Sequence, residues 1–392
     1  MEQAPPRTLR LGVAGLGRAF SVMLPTFLAD RRVRLVAAAD PRPEARAQFA
    51  HDFGGKTYAD VEALCADADV EAVYIATPHQ HHAAHARLAA AHGKHLLIEK
   101  PIALTLADAQ SITQAARTAG VQVIVGHSHS FDLPILRTRA LIESGAYGAA
   151  RMINALNYTD FLYRPRRPEE LDTAQGGGAL FNQAPHQVDI VRLLGGGRVR
   201  SVRAQAGAWD PQRPTEGAYS ALLTFESGAF ASLTYSGYGH FDSDEFQGWI
   251  GEMGQAKPAE PRERRHFSDW ATESAFKASR TYGGENWTPP TPRELAHQHF
   301  GTILVSCERA DLRPLPNGVV IYDDGGSRLD TLPLPSVPRA EVIDELYAAV
   351  VDGRPPLHDG DWATATLEVC LAMLQSAREG REIALAHQVA VP

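Results

Sequence analysis

The first 128 residues repeat one pattern: a short, unbroken apolar run, then a longer stretch of helical character. The runs are Leu9–Ala14, Val33–Ala39, residues 70–76, His95–Ile98 and residues 121–125. Between them lie Ala-rich stretches such as Pro43–Phe53, residues 81–92 and residues 106–118. A strand that is apolar along its whole length must be buried on both faces, which is the environment of a parallel sheet covered by helices. Right-handed crossovers between such strands give a doubly wound domain.

After about residue 150 the texture changes. Residues 151–158, 199–208, Ala218–Phe225 and 229–235 read as strands, several with alternation, and Glu226-Ser227-Gly228 between the last two is a hairpin signal. Strands that follow strands predict a mainly antiparallel sheet. One helix, residues 184–194, interrupts them. Residues 240–297, rich in Gly, Pro and charge, read as a long insertion, which is usually functional or disordered. Helices at residues 339–351 and 362–378 close the chain. The predicted class is α/β: a Rossmann domain over 1–128, then an α/β domain over 129–392 built on an open, mainly antiparallel sheet. The second domain is expected to bind substrate and to assemble into a dimer or tetramer, because an open sheet face seeks a partner.

The 392 residues are 44% hydrophobic and 21% charged, with a formal net charge of −8. That balance argues against nucleic acid as a partner, since it lacks the cation excess that phosphates require. Cys65, Cys307 and Cys370 are far apart and without metal-ligand spacing, which fits free thiols in a reducing compartment. The opening MEQAPPRTLR lacks the apolar core of a signal peptide, and no run approaches the ~18 apolar residues of a membrane span. A cytoplasmic protein is expected.

The first strand ends in LGVAGLGRAF. Gly12, Gly15 and Gly17 permit a tight turn and close approach of backbone to a pyrophosphate, with Arg18 and Ala19 opening the helix whose N-terminus would hold it. The third glycine of the dinucleotide fingerprint would fall at position 20, where Phe20 stands. Asp40 ends the second strand about 20 residues on, where a carboxylate accepts hydrogen bonds from ribose hydroxyls and repels a 2′-phosphate. NAD is therefore expected over NADP, although Arg42 lies close by.

Two further motifs carry a resemblance. Ala76-Thr77-Pro78-His79-Gln80-His81-His82 follows the third strand, and Gly93-Lys94-His95-Leu96-Leu97-Ile98-Glu99-Lys100-Pro101 runs through the fourth. This pairing resembles the glucose-fructose oxidoreductase, inositol dehydrogenase and MocA-type family of NAD(P) dehydrogenases, over nearly the whole chain. The resemblance implies cofactor contacts from Thr77, Pro78, His82, Glu99 and Lys100, with Lys100 also meeting the reacting hydroxyl. The family's second catalytic segment has the form D-x-x-x-H. Here Asn182 stands where the Asp is usual, and His186 matches the His. Asn cannot take a proton, so Lys100 and His186 remain as the acid/base pair, with either one as the base.

The runs QGGGALFNQAPHQVDIVRLLGGG and GAYSALLTFESGAFASLTYSGYGHFDSDEF are similar to a narrower subgroup that oxidises cis-dihydrodiols of aromatic carboxylates, of the phthalate type. A carboxylated substrate needs cations, and Tyr163-Arg164-Pro165-Arg166-Arg167-Pro168 offers three arginines on a proline-stiffened loop. Arg164, Arg166, His129, Asn182 and His186 are the expected substrate contacts, with Tyr158, Tyr235 and His240 as further candidates to line the pocket. The histidines of 79–95 include His81 and His85 at a chelating i,i+4 spacing. Without Cys or nearby acids they read as a surface helix rather than a metal site, and no metal is expected. The readings that compete are a sugar or cyclitol dehydrogenase, a non-catalytic NAD(P) sensor, and a histidine metalloprotein.

Overall fold

The structure, a computed structural model, describes residues 7–259, 267–289 and 294–391. The leaderless reading of the N-terminus and part of the 240–297 insertion fall outside them. The chain forms two compact units. One comprises the described residues up to His127, those from Ser274 to 289, and Val337–Thr364. The other comprises Ser128–Glu273, the described residues from 294 to Ser336, and those from Ala365 onward.

The first unit is built on six parallel strands: β1 (Leu9–Ala14), β2 (Val33–Ala39), β3 (Lys56–Tyr58), β4 (Ala72–Ile75), β5 (His95–Ile98) and β6 (Val123–Val125). Their order, β3-β2-β1-β4-β5-β6, is the doubly wound arrangement that reverses beside β1. Helices α1 (Arg18–Ala29), α2 (Pro43–Phe53), α3 (Val61–Ala66), α4 (His82–Ala91) and α5 (Leu106–Ala119) connect them. Their ends follow local chemistry. The Thr105 side chain accepts from the Asp108 N–H to start α5, and Gly120, at φ 68°, ends it in the left-handed region. β3 and α3 were not foreseen. β3 is a three-residue edge strand with no fully buried residue, so it carries no apolar run.

In the second unit, nine strands form one sheet, of which sequence patterning foresaw four. They are β7 (Ala150–Tyr158), β8 (Val199–Gly207), β9 (Ala218–Phe225), β10 (Phe230–Ser236), β11 (Thr302–Cys307), β12 (Asp311–Leu315), β13 (Gly318–Asp323), β14 (Gly326–Thr331) and β15 (Ile383–Ala384). The order is β14-β13-β12-β11-β7-β10-β9-β8-β15, antiparallel throughout except for the central β7–β10 pair. The missed meander β11–β14 has weak patterning: Pro314 lies within β12, and β14 is exposed along nearly its whole length. Helices α6 (Leu133–Glu143), α7 (Gly178–Asn182) and α8 (Ala184–Gly195) belong to this unit. All twelve residues of α8 are buried. The 240–297 insertion, expected to lack period, holds a short 3₁₀ turn at Ser243–Gln247 and α9 (Trp270–Ser279). The closing helices are α10 (Ala340–Val350) and α11 (Gly360–Glu379). Among the described residues no helix is long and apolar enough to cross a membrane.

Candidate active site

In the first unit the predicted cofactor residues gather at the carboxyl ends of β1, β2, β4 and β5, where open parallel sheets bind ligands. Gly15 has φ +92°, and a Cβ there would lie 2.8 Å from the Ala76 carbonyl oxygen and 3.0 Å from the Thr77 nitrogen. The glycine turn therefore touches the Thr77-Pro78 turn, and only glycine fits. Gly12 sits inside β1, where a Cβ would press Val70 at 2.9 Å. Gly17 faces open space at the start of α1, an end that no described side chain caps. The first-turn N–H groups, including those of Arg18 and Ala19, point where an anion would be stabilised. Asp40 is buried and accepts from the Leu16 N–H at 2.8 Å and the Arg42 N–H at 2.9 Å. This donor-rich turn, with a carboxylate beside it, fits NAD.

Phe20 is the departure from the glycine fingerprint, and the structure explains it. Its ring is fully buried, 5.0 Å from Tyr282 edge-on, 6.4 Å from Phe49 and 6.5 Å from Phe27. The close helix–strand packing that a third glycine provides elsewhere is replaced here by an aromatic cluster.

The Thr-Pro and Glu-Lys-Pro motifs are tied together by His82. It is fully buried, with Nδ1 2.9 Å from the Pro101 carbonyl and Nε2 2.8 Å from the Thr77 carbonyl. Burial pushes its pKa down to about 4. Thr77 also reaches His85 Nδ1 at 3.1 Å. This corrects the expectation of a surface histidine helix: His81 and His92 are exposed, but His82 is a core residue that brackets Lys100 between two fixed turns. Glu99 accepts from the Tyr74 hydroxyl at 2.5 Å, and burial raises its pKa although Tyr74 and Lys100 favour the anion.

In the second unit His186 lies in the first turn of α8. Its ring is 4.8 Å from Phe300 and 4.8 Å, edge-on, from His129. His129 is buried, with Nδ1 2.7 Å from Asp132 and Nε2 3.5 Å from Glu252. Burial opposes its charge, yet the two carboxylates hold its pKa above the usual histidine value. The same pairing, with Arg164, holds Glu252 well below the usual carboxylate range against its own burial. Glu252, Asp132 and Phe300 escaped the sequence reading. The His-x-x-Asp spacing of 129 and 132 was the one available signal; Glu252 lay in a stretch without period.

The three loop arginines differ. Arg164 bonds Asp160 at 2.8 Å and lies 3.7 Å from Glu252. Arg167 pairs with Glu169 and Glu170 at 3.1 and 3.6 Å. Arg166 is only 9% exposed, yet no described carboxylate pairs with its guanidinium. Its head lies 3.9 Å over the Phe161 ring, Nη2 donates to the Phe161 carbonyl at 2.6 Å, and Nε has no hydrogen-bond partner among the described residues. Nearby Glu273 accepts from the Arg166 backbone N–H and is itself paired with Arg213 at 2.9 Å. Burial draws the Arg166 pKa down to about 10. Tyr235 is buried nearby, its hydroxyl 2.8 Å from Thr159 and 3.2 Å from Gln183.

Asn182 donates from its amide nitrogen to the carbonyls of Gly176 at 3.1 Å and Gly178 at 2.9 Å. A carboxylate accepts only, so Asp could not make these bonds. The Asn holds the glycine loop closed ahead of α8. Asn182→Asp is therefore expected to lower stability by about 1–3 kcal/mol, read as a drop in Tm, whereas an unchanged Tm would show that the two bonds do not hold the loop.

Comparison with known proteins agrees with this geometry. Residues 9–127 match the Gfo/Idh/MocA oxidoreductase family with an NAD-binding Rossmann fold, and residues 135–255 match its C-terminal domain. The chain belongs to this family and is an NAD-dependent oxidoreductase. It is 49% identical over 382 residues to the 1-carboxy-3-chloro-3,4-dihydroxycyclohexa-1,5-diene dehydrogenase of Comamonas testosteroni, covering 94% of this chain and 95% of that protein. A solved dehydrogenase-class structure from Bordetella bronchiseptica RB50 superposes with a TM-score of 0.90 at 41% identity, covering 96% of this chain and all of that one. An Agrobacterium radiobacter oxidoreductase solved with NAD+, L-tartaric acid and magnesium shares the fold, with a TM-score of 0.70 at 19% identity over 96% and 98% of the two chains.

Proposed function

We propose that this protein oxidises a cis-dihydrodiol of an aromatic carboxylate to the corresponding catechol. The observation that carries the substrate side is Arg166, a buried guanidinium without a paired carboxylate among the described residues. A buried cation is costly unless an anion meets it, and a substrate carboxylate is an anion of the right shape for a guanidinium. A neutral sugar or cyclitol would leave that cost in place. The Comamonas relative's name, with a carboxylate and a diol on one ring, supports the same reading.

NAD, when bound, accepts the hydride. The chain's part is to take the proton. One carbinol C–H leaves with its electron pair, its hydroxyl O–H gives up a proton, and a carbonyl forms. The hydroxy-dienone tautomerises to the catechol, so aromatisation draws the reaction forward. His186 takes the hydroxyl proton, because a neutral imidazole offers a lone pair on one ring nitrogen and histidine as a residue type titrates near neutrality. Lys100, fixed between the His82-braced turns, orients and polarises the oxygen. His129, Arg164 and Asn182 shape the substrate side.

The outer sheet face carries half-exposed Leu222 and Phe230 on neighbouring strands, which supports assembly with a second copy. Three free thiols fit a cytoplasmic setting. The test is NADH formation by the purified protein offered carboxylated cis-dihydrodiols, inositol and glucose in parallel. Turnover of the dihydrodiols is expected; turnover of the polyols alone would overturn the reading.

A further inference from the structure

The cofactor half holds an arrangement that the fingerprint does not require. The Arg42 guanidinium lies on Asp40, with Nε 3.1 Å from Oδ1 and Nη2 3.2 Å from Oδ2. Nη2 also donates to the Leu16 carbonyl at 2.9 Å, and Nη1 to the carbonyl of Tyr282, 240 residues along the chain, at 3.3 Å. The Tyr282 segment is held in place by three independent contacts, all within the first unit. Its hydroxyl donates to Asp52 at 2.7 Å. Its ring stands edge-on to Phe20 at 5.0 Å. Gly283, at φ +76°, lies against α2, where a Cβ would come within 2.6 Å of the Ala45 Cα. The aromatic residue that replaced the third glycine is thus the seat on which this segment rests.

We propose that the Tyr282-Gly283 segment sets cofactor choice by pinning Arg42 against Asp40. A guanidinium two residues beyond the ribose carboxylate is otherwise well placed to pair with a 2′-phosphate. To do so here it must give up Asp40 and the Leu16 and Tyr282 carbonyls together. A ribose hydroxyl asks for less: it replaces one Arg42 bond on Asp40 while the two carbonyls retain the guanidinium. The inserted segment therefore favours NAD by withholding a cation, in addition to the repulsion that Asp40 exerts.

This inference goes beyond the substrate reading, and its test needs no substrate. NADH and NADPH are titrated by fluorescence against the full-length protein and the variants Gly283→Ala, Tyr282→Ala, Tyr282→Phe and Arg42→Ala. The native protein is expected to favour NADH. Gly283→Ala and Tyr282→Ala are expected to narrow the preference by about tenfold, through tighter NADPH binding, as the Tyr282 carbonyl moves away and its bond to Arg42 is lost. Tyr282→Phe keeps the ring on Phe20, loses only the Asp52 bond, and is expected to move the ratio the same way by less. Adding Tyr282→Ala to Arg42→Ala is expected to change nothing further. An unchanged ratio in folded Tyr282→Ala and Tyr282→Phe, or equal weakening of both nucleotides, overturns the proposal.

Discussion

Replacing Arg166 by methionine is expected to cripple the enzyme on a carboxylated substrate without weakening the fold. Methionine fills most of the volume and keeps an apolar stem against Phe161, but it removes the buried charge. Losing one partner of a buried charge pair costs about 2–5 kcal/mol of binding, or about 30- to 5,000-fold in kcat/KM. In the absence of substrate the same change removes a buried charge that has no paired carboxylate among the described residues, only the more distant Glu170 and Asp160, so Tm is expected to hold. The loss should fall mainly on KM, because the carboxylate is remote from the reacting carbon and is held in ground and transition states alike. A kcat/KM within about threefold of the native value would mean that another group receives the carboxylate. Arg164 is the weaker candidate, because Asp160 and Glu252 already neutralise it.

Lys100→Ala is expected to lower kcat by about 10²- to 10⁴-fold, the range for a positioned acid/base group, while NADH affinity changes only modestly. Lys100→Arg should fail to restore the rate: the charge remains, but the planar guanidinium has a different shape and does not present its donors to the oxygen as the compact ammonium does. His186→Gln separates the roles. If His186 takes the proton, its replacement removes the acid limb of the kcat/KM pH profile, whereas loss of Lys100 lowers the plateau and leaves that limb in place. Full activity in Lys100→Ala would contradict both the assigned role and the placement of the site.

Much of the first unit was legible because its local and tertiary demands coincide. A strand buried on both faces must be apolar, a helix start must offer N–H groups, and a glycine turn must follow β1, so the residues advertise their surroundings. Asp40, Lys100 and His186 were put forward by motif and position. The three-residue β3 and the β11–β14 meander were not, because edge and half-exposed strands have no obligatory apolar pattern. Two features depended on residues distant in sequence. Glu252, from the stretch without period, faces His129. Tyr282 meets both Arg42 and Phe20. The Asn182 amide turns back onto the nearby Gly176 and Gly178 carbonyls, a local contact set by the loop conformation.

The sequence alone therefore determined the doubly wound domain, the dinucleotide turn, the antiparallel second domain and the acid/base candidates. Only the tertiary structure sorted the three loop arginines. Arg164, Arg166 and Arg167 have the same chemistry and lie within four residues, so nothing local distinguishes them. What does is charge supplied from elsewhere: Asp160 and Glu252 neutralise Arg164, Glu169 and Glu170 meet Arg167, and Glu273 is taken by Arg213. Among the described residues Arg166 is left buried without a paired anion, because the energy of a buried charge is set by what surrounds it in space rather than along the chain.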